Sequence, residues 1–174
     1  VQRLENDLHP VIDPSVMTIE ELREYKLKQI SAACEQDVYD GTVVTLPDGT
    51  QETFTYSMQD QENTFSLLSL LLVCPAMDAL PWHSSGHSCR MYTRAELIAI
   101  CSTLLMRKTQ LITYANALNM YVNGISDRNE LMNVEYGMEL PQSYADNIAA
   151  IMGMTIEEMQ KFMEQIGGDT PTDE

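Results

Sequence analysis

A chain of 174 residues suits one domain with short extensions, and folding at this size buries roughly 70% of the surface the unfolded chain exposes. Its 26 acidic residues against 10 basic ones give a formal charge of −16, which repels phosphate backbones and anionic headgroups, so neither nucleic acid nor a membrane surface is expected as a partner. The longest apolar run, Leu67 to Val73, is interrupted by Ser69 and stopped by Pro75, well short of the ~20 residues a spanning helix needs.

Residues 1–17 carry Pro10 and Pro14 in polar surroundings and lack the basic and long apolar regions of a secretory signal; they are expected to form an extended arm or linker. Thr18-Ile19-Glu20-Glu21 fits a capping box, in which the Thr hydroxyl accepts from the amide three residues on and the Glu reaches back. Met17 and Leu22 are placed for a hydrophobic staple, and Leu22, Tyr25, Ile30, Ala33, Cys34 and Val38 share one face, which predicts a first helix up to Gly41. Val43–Leu46 and Gln51–Tyr56 flank a Pro47-Asp48-Gly49 turn and predict a β-hairpin.

Ser57 and Asp60 cap a second helix running through Phe65, Leu68, Leu71 and Leu72 to about Cys74; its leucines cover more than one face, which predicts a core helix. Leu80–Tyr92, broken by Pro81 and Gly86, reads as an irregular loop or short hairpin. Thr93-Arg94-Ala95-Glu96 opens a long helix to about Val122, with Gly124 as its cap and a length of roughly 45 Å. Short helices are expected from Asp127 to Tyr136, from Tyr144 to Met152 before Gly153, and after a cap at Thr155-Ile156-Glu157-Glu158. The fold class is α+β, mainly α. Its expected divisions are the arm at 1–17, a main domain at 18–142, C-terminal helices at 143–168 and a disordered tail at 169–174.

The long helix places Leu97, Cys101, Leu104, Lys108, Leu111, Ala115, Leu118 and Val122 at alternating steps of four and three, the spacing of a coiled-coil seam. This row is a candidate homo-oligomer contact in which Lys108 sets the register. The alternative is a core stripe along which Lys108 snorkels, the reading that the second row Ile98, Leu105 and Ile112 favours by widening the apolar face. The last helix gathers Met159, Phe162 and Met163 with Ile156 and Ile166, a second candidate partner surface because methionine adapts to irregular neighbours; packing back on the core is the alternative.

Cys74, His83, His87 and Cys89 are the residue types of a closed zinc site, but their spacing lacks a close Cys pair and a helical His pair. Ser84, Ser85 and Ser88 lie beside His83 and His87 without a nucleophile elbow. No catalytic residue, cofactor or metal is therefore expected, and the four cysteines read as free thiols.

The order of motifs carries a family resemblance. Lys28-Gln29-Ile30-Ser31-Ala32-Ala33-Cys34, the Asp-Gly turn and Asp60-Gln61-Glu62-Asn63 are followed by Trp82-His83-Ser84-Ser85-Gly86 and Cys89-Arg90-Met91-Tyr92-Thr93. Then come Lys108 with Tyr114-Ala115-Asn116-Ala117-Leu118, and Glu135-Tyr136-Gly137 before Leu140-Pro141. This series resembles a domain of unknown function found in tail-associated proteins of bacteriophages and prophages, over about Thr18 to Tyr144. Ser85-Gly86 stands where many such sequences have Asp-Gly. The resemblance implies a non-enzymatic structural role in the tail, baseplate or fibre-attachment region of a virion, in a protein made in the host cytoplasm and joined to other tail proteins or to copies of itself. Alternatives are a tail or fibre assembly factor absent from the mature particle, and a small zinc-binding adaptor.

Overall fold

The computed structural model describes residues 13–167, so most of the expected arm, at 1–12, and the expected tail, at 169–174, lie outside the described residues. The described part of the arm forms a 3₁₀ turn at Pro14–Val16, held by Arg128, which donates to the carbonyls of Pro14 and Ser15 at 3.0 and 2.8 Å. Five helices follow among the described residues: α1 (Ile19–Asp40), α2 (Met58–Val73), α3 (Arg94–Gly124), α4 (Arg128–Met132) and α5 (Gln142–Gly167). Two antiparallel hairpins interleave with them: β1 (Thr42–Thr45) with β2 (Gln51–Phe54), and β3 (Ala79–Trp82) with β4 (Arg90–Thr93). The α+β, mainly α class is what the chain adopts, and Leu80–Tyr92 takes the short-hairpin form of its two expected alternatives.

The helix starts follow local chemistry. Thr18, Ser57 and Thr93 each accept from the amide three residues on, while Glu21, Asp60 and Glu96 return a carboxylate to the cap amide. Gly41 ends α1 at φ 71°, where an added Cβ would lie 1.8 Å from the Phe54 carbonyl oxygen; only glycine lets α1 turn this closely into the first hairpin. The hairpin closes through Gly49, whose amide donates to the Leu46 carbonyl at 2.9 Å.

Helix α3 is the hub, packing against α1, α2, α5 and both hairpins. Helix α5 runs antiparallel along it: Tyr144 meets Tyr121 edge-on at 5.8 Å near one end, and the Ile166 carbonyl accepts from Arg94 at the other. Two short C-terminal helices were expected on either side of Gly153, but α5 is continuous from Gln142 to Gly167. Thr155 does not cap a helix; its hydroxyl donates back to the Ile151 carbonyl at 2.8 Å. The roughly 1 kcal/mol that a glycine costs inside a helix is outweighed by one uninterrupted apolar face, with Met152, Phe162, Met163 and Ile166 turned inward. The expected helix over Asp127–Tyr136 shortens to Arg128–Met132, and Tyr136 leaves it to pack edge-on against Tyr114 at 5.5 Å.

No described helix has a basic residue in its own last turn. Cations arrive from elsewhere in the chain. Arg23 of α1 donates to the Val122 and Ile125 carbonyls at the end of α3, and Lys26 to the Val134 carbonyl just beyond α4. Arg94, in the first turn of α3, donates to Leu71 and Cys74 at the end of α2 and to Ile166 at the end of α5. Each places positive charge on carbonyls that lack intrahelical partners, at the negative end of the helix dipole.

The two hairpins meet at a polar junction. Arg90 donates to Glu52 at 2.8 Å and Glu96 at 3.0 Å and lies 3.5 Å over the Tyr92 ring, while the Tyr92 hydroxyl donates to the other Glu52 oxygen at 2.5 Å. Burial pushes the Glu52 and Glu96 carboxyls upward. The hydrogen bonds outweigh it, from Tyr92 and Arg90 on Glu52 and from Thr93 and Arg90 on Glu96, and both titrate below the ordinary glutamate value of 4.5. A depressed carboxyl stabilises the fold fully above its unfolded value and loses that contribution as pH falls through the folded one. Stability against urea is therefore expected to decline as pH drops below the ordinary value of 4.5. Glu52→Gln, with no carboxyl to protonate, should be less stable at neutral pH yet lose less on acidification; a slope equal to that of the unaltered chain would contradict this.

Candidate interaction surfaces

The structure places the seven uncharged members of the α3 row inside the chain. Leu97, Cys101, Leu104, Leu111, Ala115, Leu118 and Val122 are at most 7% exposed and join the hydrophobic core. Burial drives the Cys101 thiol up to about 12, so it stays protonated at neutral pH, and Cys34, also buried, is raised for the same reason. Lys108 donates to the Gln61 side-chain oxygen at 2.6 Å, and Gln61 in turn donates to the Tyr56 carbonyl at 3.0 Å, tying α3, α2 and the end of the first hairpin together. Of the two readings of this row, its burial within the chain favours the core stripe over the homo-oligomer contact. The width of the apolar face is the physical reason, because α1, α2 and α5 all need part of it; Ile98 of the second row is buried too, whereas Ile112 is 49% exposed.

Met159, Phe162 and Met163 divide between the two readings of the last helix. Phe162 and Met163 pack against the core and all three are half-buried, yet Met159 and Met163 also line an open groove of about 820 Å³ with Met106 and Ile156. A second groove of about 720 Å³, lined by Met138, Leu140, Ile148 and Met152, adjoins it at Arg107 and Gln110. Together they form a cleft along the α3–α5 junction.

The serine- and histidine-rich loop is structural in this geometry. Ser85 receives the Thr55 amide on its hydroxyl at 2.9 Å and gives its own amide to the Thr53 carbonyl at 2.8 Å, stitching the second hairpin to β2. Ser84 is buried, and the ring Nδ1 atoms of His83 and His87 lie near the loop carbonyls of Ser84 and Ser85. Cys74 closes α2 while Cys89 is exposed on the loop; among the described residues no three His, Cys, Asp or Glu side chains are arranged to hold a metal ion.

A surface that was not anticipated lies on α2. Phe65 and Leu72, expected in the core, point outward: the buried face is Thr64, Leu67, Leu68 and Leu71. Met58 (63% exposed), Phe65 (74%) and Leu72 (44%), with Val73 (75%) beside them, form an apolar row facing solvent. Met58 and Ile112 line a shared cleft, which extends the row toward α3. The signal was present in the sequence as a seven-residue spacing, masked by leucines on every side of the helix.

No family model, curated protein or solved structure matches the chain. The candidate surfaces therefore rest on geometry alone.

Leu111→Glu separates core from contact. A charge placed at this 6% exposed position should cost more than about 4 kcal/mol and unfold the chain, seen as loss of helical circular dichroism at moderate temperature. A variant that keeps its helicity and merely changes oligomeric state would restore the subunit-seam reading.

Proposed function

We propose that this chain is a non-enzymatic structural component of a bacteriophage virion, in the tail, baseplate or fibre-attachment region, and that it acts by associating with other tail proteins and with copies of itself. The observation that carries the association is the exposed apolar row Met58, Phe65, Leu72 and Val73 on an otherwise strongly acidic chain. Contiguous apolar side chains facing water mark places where proteins meet. The particular setting rests on the series of motifs from Lys28 to Pro141, which resembles tail-associated phage proteins. A charge of −16 favours protein partners over nucleic acid or anionic membrane.

The α3–α5 cleft supports a second reading, a tail or fibre assembly factor. Met106, Met159 and Met163 give this cleft an adaptable lining suited to a client that binds and leaves. The two readings differ in one measurable respect. Mass spectrometry of gradient-purified particles should find the chain at a fixed ratio to the other tail proteins; its absence from particles, with presence in the infected-cell lysate, would overturn the structural role in favour of the assembly factor.

A further inference from the structure

We infer that the outward face of α2 is an isologous contact between two copies of this chain, with their α2 helices antiparallel and Phe65 at the two-fold axis. The inference deepens the assembly reading above, on which it rests.

The spacing is self-complementary. Phe65 lies seven residues from Met58 and seven from Leu72, so an antiparallel pair centred on Phe65 sets Met58 of each copy against Leu72 of the other. A row repeating every seven residues is also the one that stays in register along two packed helices. The exposed row covers about 22 Å of helix, at 1.5 Å per residue, enough for four turns of contact.

Charge restricts how two copies can meet. Two chains of charge −16 repel, and a second copy is tolerated only where its own carboxylates meet uncharged surface. Helix α2 is divided in this way: Asp60 and Glu62 fall in its first half, and no ionisable side chain other than the Cys74 thiol occurs from Asn63 to Met77. Antiparallel pairing about Phe65 puts the Asp60–Glu62 end of one α2 against the uncharged Leu68–Leu72 end of the other, so the carboxylates of the two α2 helices do not face each other, and it sets the helix dipoles in opposition. A parallel pair would bring like charges together. The exposed apolar residues of α5 offer less, since Ile156 is followed directly by Glu157 and Glu158.

The serine hydroxyls on this face are already satisfied. The Ser66 hydroxyl donates to the Glu62 carbonyl at 3.0 Å and the Ser69 hydroxyl to the Phe65 carbonyl at 2.9 Å. Neither leaves a donor that a dry interface would strand, and both are small enough for close helix approach.

The test uses the full chain. Sedimentation equilibrium should show a monomer–dimer equilibrium in the micromolar range, and Phe65→Glu should weaken it by about 100-fold or more with unchanged helical circular dichroism. With Cys74→Ser and Cys89→Ser as background, Phe65→Cys should form a disulfide-linked dimer on mild oxidation. Met58→Cys should cross-link to Leu72→Cys in a mixture and not to itself, since cysteines more than about 7 Å apart cannot bridge. A monomer at every concentration, a Phe65→Glu dimer of undiminished strength, or self-linking of Met58→Cys would each overturn the inference, the last by indicating a parallel pair. Retention of a monomeric chain in virions would leave the tail reading standing and this contact refuted, with a different tail protein then covering α2. A dimer that behaves as described, from a chain absent from virions, would refute only the tail reading.

Discussion

Two helices end on one guanidinium at the start of a third. Arg94 sits in the first turn of α3 and donates at 2.7 Å to Leu71 near the end of α2, at 3.4 Å to Cys74, and at 2.9 and 3.3 Å to Ile166 near the end of α5. A hydrogen bond from a charged donor contributes about 1.5–3 kcal/mol, and the Leu71 and Ile166 carbonyls it serves are helix-end acceptors, while Cys74 also accepts from the Met77 amide at 3.1 Å. Among the described residues Arg94 forms no ion pair with a carboxylate, although acidic residues outnumber basic ones across the chain by 26 to 10. Its charge is directed to backbone instead. Arg23 and Lys26 follow the same pattern at the ends of α3 and α4, so scarce cations hold helix termini while most carboxylates remain on the surface.

This placement shapes what the surface can do. With α2 and α5 fixed at one end of α3, the coiled-coil-like row of α3 is consumed by the core, and the unpartnered apolar surface lies on the far side of α2 and in the cleft beside α5. The Glu52–Arg90–Tyr92 junction and the Ser85 stitches do for the hairpins what Arg94 does for the helices: they lock two short, individually marginal hairpins into one support for α3.

Much of this fold was legible in the sequence because its signals are local. The three capping boxes depend only on residues three apart, and the Pro47-Asp48-Gly49 turn on side chains within five residues. Where tertiary packing competes with a local signal, the local signal loses. Gly153 and the Thr155 box suggested a break that the continuous inner face of α5 overrides. The α3 row had the spacing of a subunit seam, but periodicity reports that a face is apolar and not what covers it. On α2 the same ambiguity ran the other way, since five leucines at varied spacings hid which of Phe65, Leu67, Leu68, Leu71 and Leu72 face inward. The role of Arg94 had no sequence signal, since its acceptors are carbonyls up to 72 positions away.

The central claim is that Arg94 couples the ends of α2 and α5 through α3. Native-state hydrogen exchange on Arg94→Met, which keeps the length of the side chain and removes its charge and donors, tests it most directly. The account predicts that amides in the last turns of α2 and α5 lose protection together while those of α1 and the β1–β2 hairpin keep theirs. Loss confined to one of the two helices, or protection unchanged in both, would contradict it.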